Sequence, residues 1–289
     1  MVHKRKVAVV VDSSSCLPRE LLDKWDIYVV PHELIIQDRS FRDGIDINPA
    51  EFYQHYLNKD HEIPTTSSPK PVSFLEVFKS AFAVADGVVC IVLSANFSST
   101  CQSAIIATRM AEKDMPGCRI NVIDSGAAAG AEGLIALEAA KVAQCGAGLE
   151  EVVARIEELI PHVNLLALLD TLYYLRRSGR VPRMAAWAGA ILGIRPLTEL
   201  KLGEARVLDK PRSHAKGVER LVGVMKDRVQ QRPAHVNVMH AHAADSAMKL
   251  YHRVETEFNC REIFISEFTP VMGAHLGPGL LGLAFYADE

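Results

Sequence analysis

The sequence predicts an α/β fold of two α/β domains, the first built on a mostly parallel sheet and the second on a mixed one. Two observations carry this. Short apolar runs alternate with helix-length segments through the first half, the pattern of a parallel sheet covered by helices. Three of those runs also end in polar residues: Asp12-Ser13-Ser14-Ser15 after run 7–11, Ser94 and Ser98-Ser99-Thr100 after 88–93, and Asp124-Ser125 after 120–123. Ligands of open α/β sheets bind outside the carboxyl ends of the strands. Hydroxyls at three such junctions, without a phosphate-binding glycine loop, favour a site built of neutral donors and a binder before an enzyme.

Taken in order, run 7–11 is a first strand, and Pro18 suits the opening turn of a helix over 18–24. Residues 27–36 read as one strand. Asn48-Pro49-Ala50-Glu51 has the form of a capped helix start, with Asn48 as N-cap, Pro49 at N1 and an Ile47–Phe52 staple. Residues 65–69 read as a loop, 74–85 as a helix, 88–93 as a strand, 100–112 as a helix, 119–123 as a strand and 131–145 as a helix. The second half begins with an amphipathic helix at 149–159 and a strand at 165–170. A basic turn follows at 176–183, then a hairpin over 197–208 turning at Gly203-Glu204. Helix 215–230, strand 236–239, helix 245–258, strand 262–266 and a strand near 283–286 complete it. The change of pattern near residue 160 divides the chain into an N-terminal domain, 1–160, and a C-terminal domain, 161–289.

Composition excludes several classes. The chain has 289 residues, 49% hydrophobic and 23% charged, enough for a sizeable core. The run after the basic start is too short for a signal-peptide core, and stretch 185–194 is too short to span a bilayer, so a cytoplasmic protein without stable membrane insertion is expected. Six cysteines lack any Cys-x-x-Cys pair, which suits small buried hydrophobes better than a disulfide framework or zinc ribbon. The net charge of −3 argues against nucleic-acid binding. Window 171–220 nevertheless carries eleven Lys or Arg against four acids. That excess fits a solvated face or a docking surface for an acidic or phosphate-bearing partner.

Among motifs, Gly277-Pro278-Gly279-Leu280-Leu281-Gly282 matches G-x-G-x-x-G in form, but only seven residues follow it, too few for a dinucleotide-binding unit. It reads as a tight turn holding His275. Ser98, His275 and Asp124 supply the residue types of a nucleophilic triad. His240-Ala241-His242 could contribute two metal ligands, with no third evident nearby.

The chain resembles the DegV family of bacterial lipid-binding proteins along essentially its whole length. The resemblance rests on Val11-Asp12-Ser13-Ser14, Arg42-Asp43-Gly44-Ile45-Asp46-Ile47, Pro64-Thr65-Thr66-Ser67-Ser68-Pro69 and Phe97-Ser98-Ser99-Thr100-Cys101-Gln102-Ser103-Ala104. Val122-Ile123-Asp124-Ser125, Leu172-Tyr173-Tyr174-Leu175 with Ser178-Gly179-Arg180, and Gly273-Ala274-His275-Leu276-Gly277-Pro278-Gly279 extend it. It implies a fatty-acid-binding protein, the carrier subunit of a bacterial fatty acid kinase serving phospholipid synthesis, with no cofactor and no chemistry of its own. A long-chain fatty acid would lie in an apolar tunnel between the domains, its carboxylate held by Thr66, Ser98 and His275. Arg180 and Arg212 would face the kinase subunit. Ser99 and Ser178 stand where the family pattern has glycine, and from Ser99 a headgroup geometry or chain preference different from that of relatives is expected. The competing reading is an acyl hydrolase or transferase with Ser98 as nucleophile and His275 as base. A third is a lipid-sensing regulatory protein.

Overall fold

The computed structural model describes residues 4–57, 64–179 and 194–288. Strands β1 (Arg5–Asp12), β2 (Tyr28–Val30), β6 (Ala85–Val92) and β7 (Arg119–Asp124) form a wholly parallel sheet in the order β2-β1-β6-β7. A six-stranded mixed sheet follows the order β10-β9-β8-β13-β11-β12. Its members are β8 (Asn164–Leu168), β9 (Leu197–Lys201), β10 (Glu204–Asp209), β11 (Ala234–His240), β12 (Cys260–Glu267) and β13 (Leu281–Ala287). A small antiparallel sheet, β4-β3-β5, comprises β3 (Glu33–Ile36), β4 (Arg39–Arg42) and β5 (Thr65–Ser67). The mixed α/β class and the two sheet types are those the sequence predicts.

Period-two alternation builds the layers. On β1 the side chains of Ala8 and Val10 join the core under α3 (Pro71–Val84) and α4 (Thr100–Asp114), whereas Val7, Val9 and Val11 enter the central core. On β11, Val236 and Val238 face α8 (His214–Val229) and α9 (Ala244–Glu257), and Met239 faces the centre. Both sheets therefore share a middle layer, α5 (Ala129–Gln144), against which α6 (Leu149–Leu159) packs. Helix α5 is small and apolar around most of its circumference, as a helix packed on both sides must be. No helix among the described residues is long and apolar enough to cross a membrane.

Four local expectations need correction. Residues 27–36 are two strands in two sheets, because Pro31 lacks a backbone N–H and breaks the ladder between them. Segment 65–69 is a strand over its first three residues, with Thr66 opposite Leu34. The hairpin turns at Leu202-Gly203, both with positive φ (49° and 74°), as a two-residue turn of matching twist requires. His275 lies on a short helix, α10 (Pro270–Leu276), rather than in a turn. Short helices α1 (Arg19–Lys24) and α7 (Tyr173–Ser178) complete the fold, and α2 (Pro49–Glu51) runs on into a π-helical turn over Phe52–Tyr56. The Asn48 cap forms as expected, its side chain accepting from Glu51 N at 2.9 Å. All six cysteines are free, with Cys16 and Cys90 buried as expected but Cys145 exposed.

Candidate functional site

Residues beyond the carboxyl ends of β2, β6 and β7 meet residues of the second sheet around a largely apolar cavity of about 150 Å³ between the two halves of the chain. Leu165, Ala167, Leu169, Leu175, Leu200 and Phe268 line its body. Thr66, Ser68, Ser98, His275 and His32 line it with polar atoms. Elsewhere Thr198 and Glu199 reach its wall. Burial pushes the Glu199 carboxyl up, but hydrogen bonds from Arg228 and Arg206, the latter at 2.5 Å, outweigh it and hold the group below its ordinary range.

Each polar group comes from a different element. Thr66 is on β5, whose pairing with β3 presents it to α10. There its Oγ1 lies 2.8 Å from His275 Nε2. Ser98 sits two residues before α4, where its Oγ accepts from Thr100 N at 3.3 Å and lies 2.7 Å from Thr100 Oγ1. Ser68 Oγ links the two segments, 2.8 Å from Ser98 Oγ and 3.0 Å from Ser99 Oγ. The start of a 15-residue helix beside these hydroxyls adds a positive potential suited to an anion.

Glycines fix the frame at two points. Gly277, with φ of 79°, ends α10, and a Cβ there would lie 2.1 Å from the Tyr174 ring. Gly203 lets the β9–β10 turn dock on the loops after β6 and β7, with Gly203 N donating to Gly126 O at 2.6 Å and Asn96 Nδ2 donating to Gly203 O at 3.1 Å.

The structure thus gathers Thr66, Ser98 and His275 around one cavity. It does not assemble the triad. His275 Nε2 faces Thr66, Ser98 Oγ is engaged by Ser68 and Thr100, and Asp124 accepts from the amides of Ala95 and Gly126 away from the cavity wall. Among the described residues no cluster suits a metal ion; His240 lies 3.7 Å from Glu267, and His242 stacks on Tyr53. Arg212 is exposed just ahead of α8 and makes no ion pair among the described residues, whereas Arg180 lies outside them. Sequence reasoning missed Ser68 and His32. Ser68 stands two residues along the strand direction from Thr66, the spacing that returns a side chain to one face. His32 was hidden inside an apolar stretch read as one strand.

Comparisons with known proteins point to one family and fold. The DegV family profile covers residues 6–288. A DegV domain-containing protein of Caldanaerobacter subterraneus is 34% identical over 281 residues, covering 97% of this chain and 98% of that protein. A DegV family protein from Thermus thermophilus, whose structure is described as fatty acid binding, is 28% identical with a TM-score of 0.90, over 98% of this chain and 100% of that one. A stearic acid-binding protein from Eubacterium ventriosum is 25% identical with a TM-score of 0.91, over 97% of this chain and 98% of that one.

Proposed function

Because the chain belongs to the DegV family, we propose that it is a carrier that binds one long-chain fatty acid in the cavity, the carboxylate held by Thr66, Ser98 and His275. The observation that carries this reading is the convergence of those three side chains, from β5, the β6–α4 connection and α10, at an otherwise apolar cavity. A carboxylate leaving water for such a place costs several kcal/mol unless it is hydrogen-bonded. Two hydroxyls and an imidazole offer up to three donors, each charge-assisted bond contributing about 1.5–3 kcal/mol. Burial of the tail adds about 0.8 kcal/mol per CH₂.

Hydroxyl donors rotate to suit their acceptor, so the same cradle accepts a carboxylate or an acyl phosphate. The protein presents the fatty acid to a cytoplasmic kinase subunit for acyl-phosphate formation and holds the product, with Arg212 and Arg180 on the docking face. The two domains divide near residue 160, between α6 and β8. Calorimetric titration of wild type and the Thr66→Ala/Ser98→Ala double variant with a saturated fatty acid tests the headgroup assignment. A loss of about tenfold or more per hydroxyl is expected, and equal affinity contradicts it.

A further inference from the structure

The aspartate that ends β1 and the histidine between β2 and β3 form a buried ion pair. His32 Nε2 lies 3.1 Å from Asp12 Oδ1, with His32 3% exposed and Asp12 fully buried. Asp12 also accepts from Leu93 N at 2.8 Å, Ser14 N at 2.9 Å and Ser14 Oγ at 2.5 Å. Burial pushes this carboxyl up, but the His32 charge and these hydrogen bonds prevail and hold it below its ordinary value. Burial opposes the charge on His32 as well, and there the Asp12 carboxylate prevails and raises it. The Ser67 backbone acts in the same sense. A ring nitrogen 3.1 Å from a buried carboxylate that already accepts three other hydrogen bonds favours the imidazolium.

The pair has a direction. His32 lines the cavity and Asp12 does not, so the positive end faces the ligand space. From the ring a line of hydroxyls leads to the headgroup residues: Thr100 Oγ1 lies 3.5 Å from His32 Nε2 and 2.7 Å from Ser98 Oγ. The other charged group facing His32 is Asp43, which accepts from Ser13 Oγ at 2.6 Å and Val271 N at 3.1 Å and which burial pushes towards its neutral form.

We infer that His32, held as an imidazolium by Asp12, is the fixed counter-charge of the headgroup site, acting through Thr100 and Ser98 and favouring a doubly charged phosphorylated head over a carboxylate. This rests on the fatty-acid reading and deepens it. The hydroxyls are neutral and serve either head. A fixed charge attracts in proportion to the charge of its ligand, and a buried one is little screened.

The test titrates wild type and His32→Gln with a saturated fatty acid and with a monoalkyl phosphate of the same chain length. At about pH 7.5 the phosphate monoester is mostly dianionic. Both ligands weaken in the variant, and the fold-loss for the alkyl phosphate is roughly the square of that for the fatty acid. A merely structural role moves both ligands equally. Asp12→Asn/His32→Gln, which removes both charges while keeping polar partners, guards against misfolding and is expected to lower the same affinity ratio. An unchanged ratio in the folded variants overturns the role of His32 alone. Failure of wild type to bind either probe overturns the fatty-acid reading and this inference with it.

Discussion

His275 Nε2 lies 2.8 Å from Thr66 Oγ1, joining residues 209 positions apart in the sequence across the cavity that separates the two sheets. The contact exists because β5 pairs with β3 at one side and α10 stops at Leu276, the residue after His275. What stops α10 there is Gly277.

Gly277→Ala is therefore expected to destabilise the protein by about 1–3 kcal/mol, since the new Cβ meets the Tyr174 ring at 2.1 Å on a backbone with φ of 79°. Gly223→Ala on α8 is the control. Its Cβ meets nothing within 4 Å, so it is expected to be neutral or to stabilise by up to about 1 kcal/mol through helix propensity. Thermal unfolding of both variants checks the contrast; equal melting temperatures contradict the close packing at the end of α10.

Glu132, fully buried on α5, gives a pH prediction. Burial, and after it the Asp12 charge, hold its carboxyl well above the ordinary 4.5, against the opposing pull of the Ser14 hydroxyl, whose Oγ lies 2.9 Å from Oε2. The folded state keeps a proton that the unfolded chain releases, so this group's contribution to stability falls as pH rises above the ordinary carboxylate value. Glu132→Gln removes that titration. The variant is expected to match wild type near pH 4 and exceed it at about pH 8 in urea unfolding; parallel pH curves contradict the assignment.

Much of the fold was legible because burial on both faces leaves an unbroken apolar run. Strands β1 and β6 show it, with every residue from Val7 to Val11 and from Val88 to Val92 buried. The Asn48 cap was legible because its geometry is local. Strand β5 was not, since Thr65-Thr66-Ser67 has the composition of a loop and becomes a strand only through its long-range partner β3. The cavity-lining residues Thr66, Ser98 and His275 were named through family resemblance, because no spacing in the chain predicts that segments so far apart will meet. His32 escaped notice because its ion pair with Asp12 depends on the break at Pro31.

Arg212, exposed ahead of α8, allows the proposed presentation step to be tested apart from fatty-acid binding. Arg212→Glu is expected to leave fatty-acid affinity unchanged, because the side chain does not line the cavity. It should slow phosphorylation of the bound fatty acid by a fatty acid kinase by about tenfold through charge reversal at the docking face. Unchanged turnover removes Arg212 from that face.

The central claim, that the cavity holds one fatty acid, is tested most directly by native mass spectrometry of the purified protein followed by organic extraction. The expected result is a bound species of fatty-acid mass at about one per chain, released on denaturation and restored when the emptied protein is offered the same acid. A protein that purifies empty and takes up no added fatty acid contradicts the account.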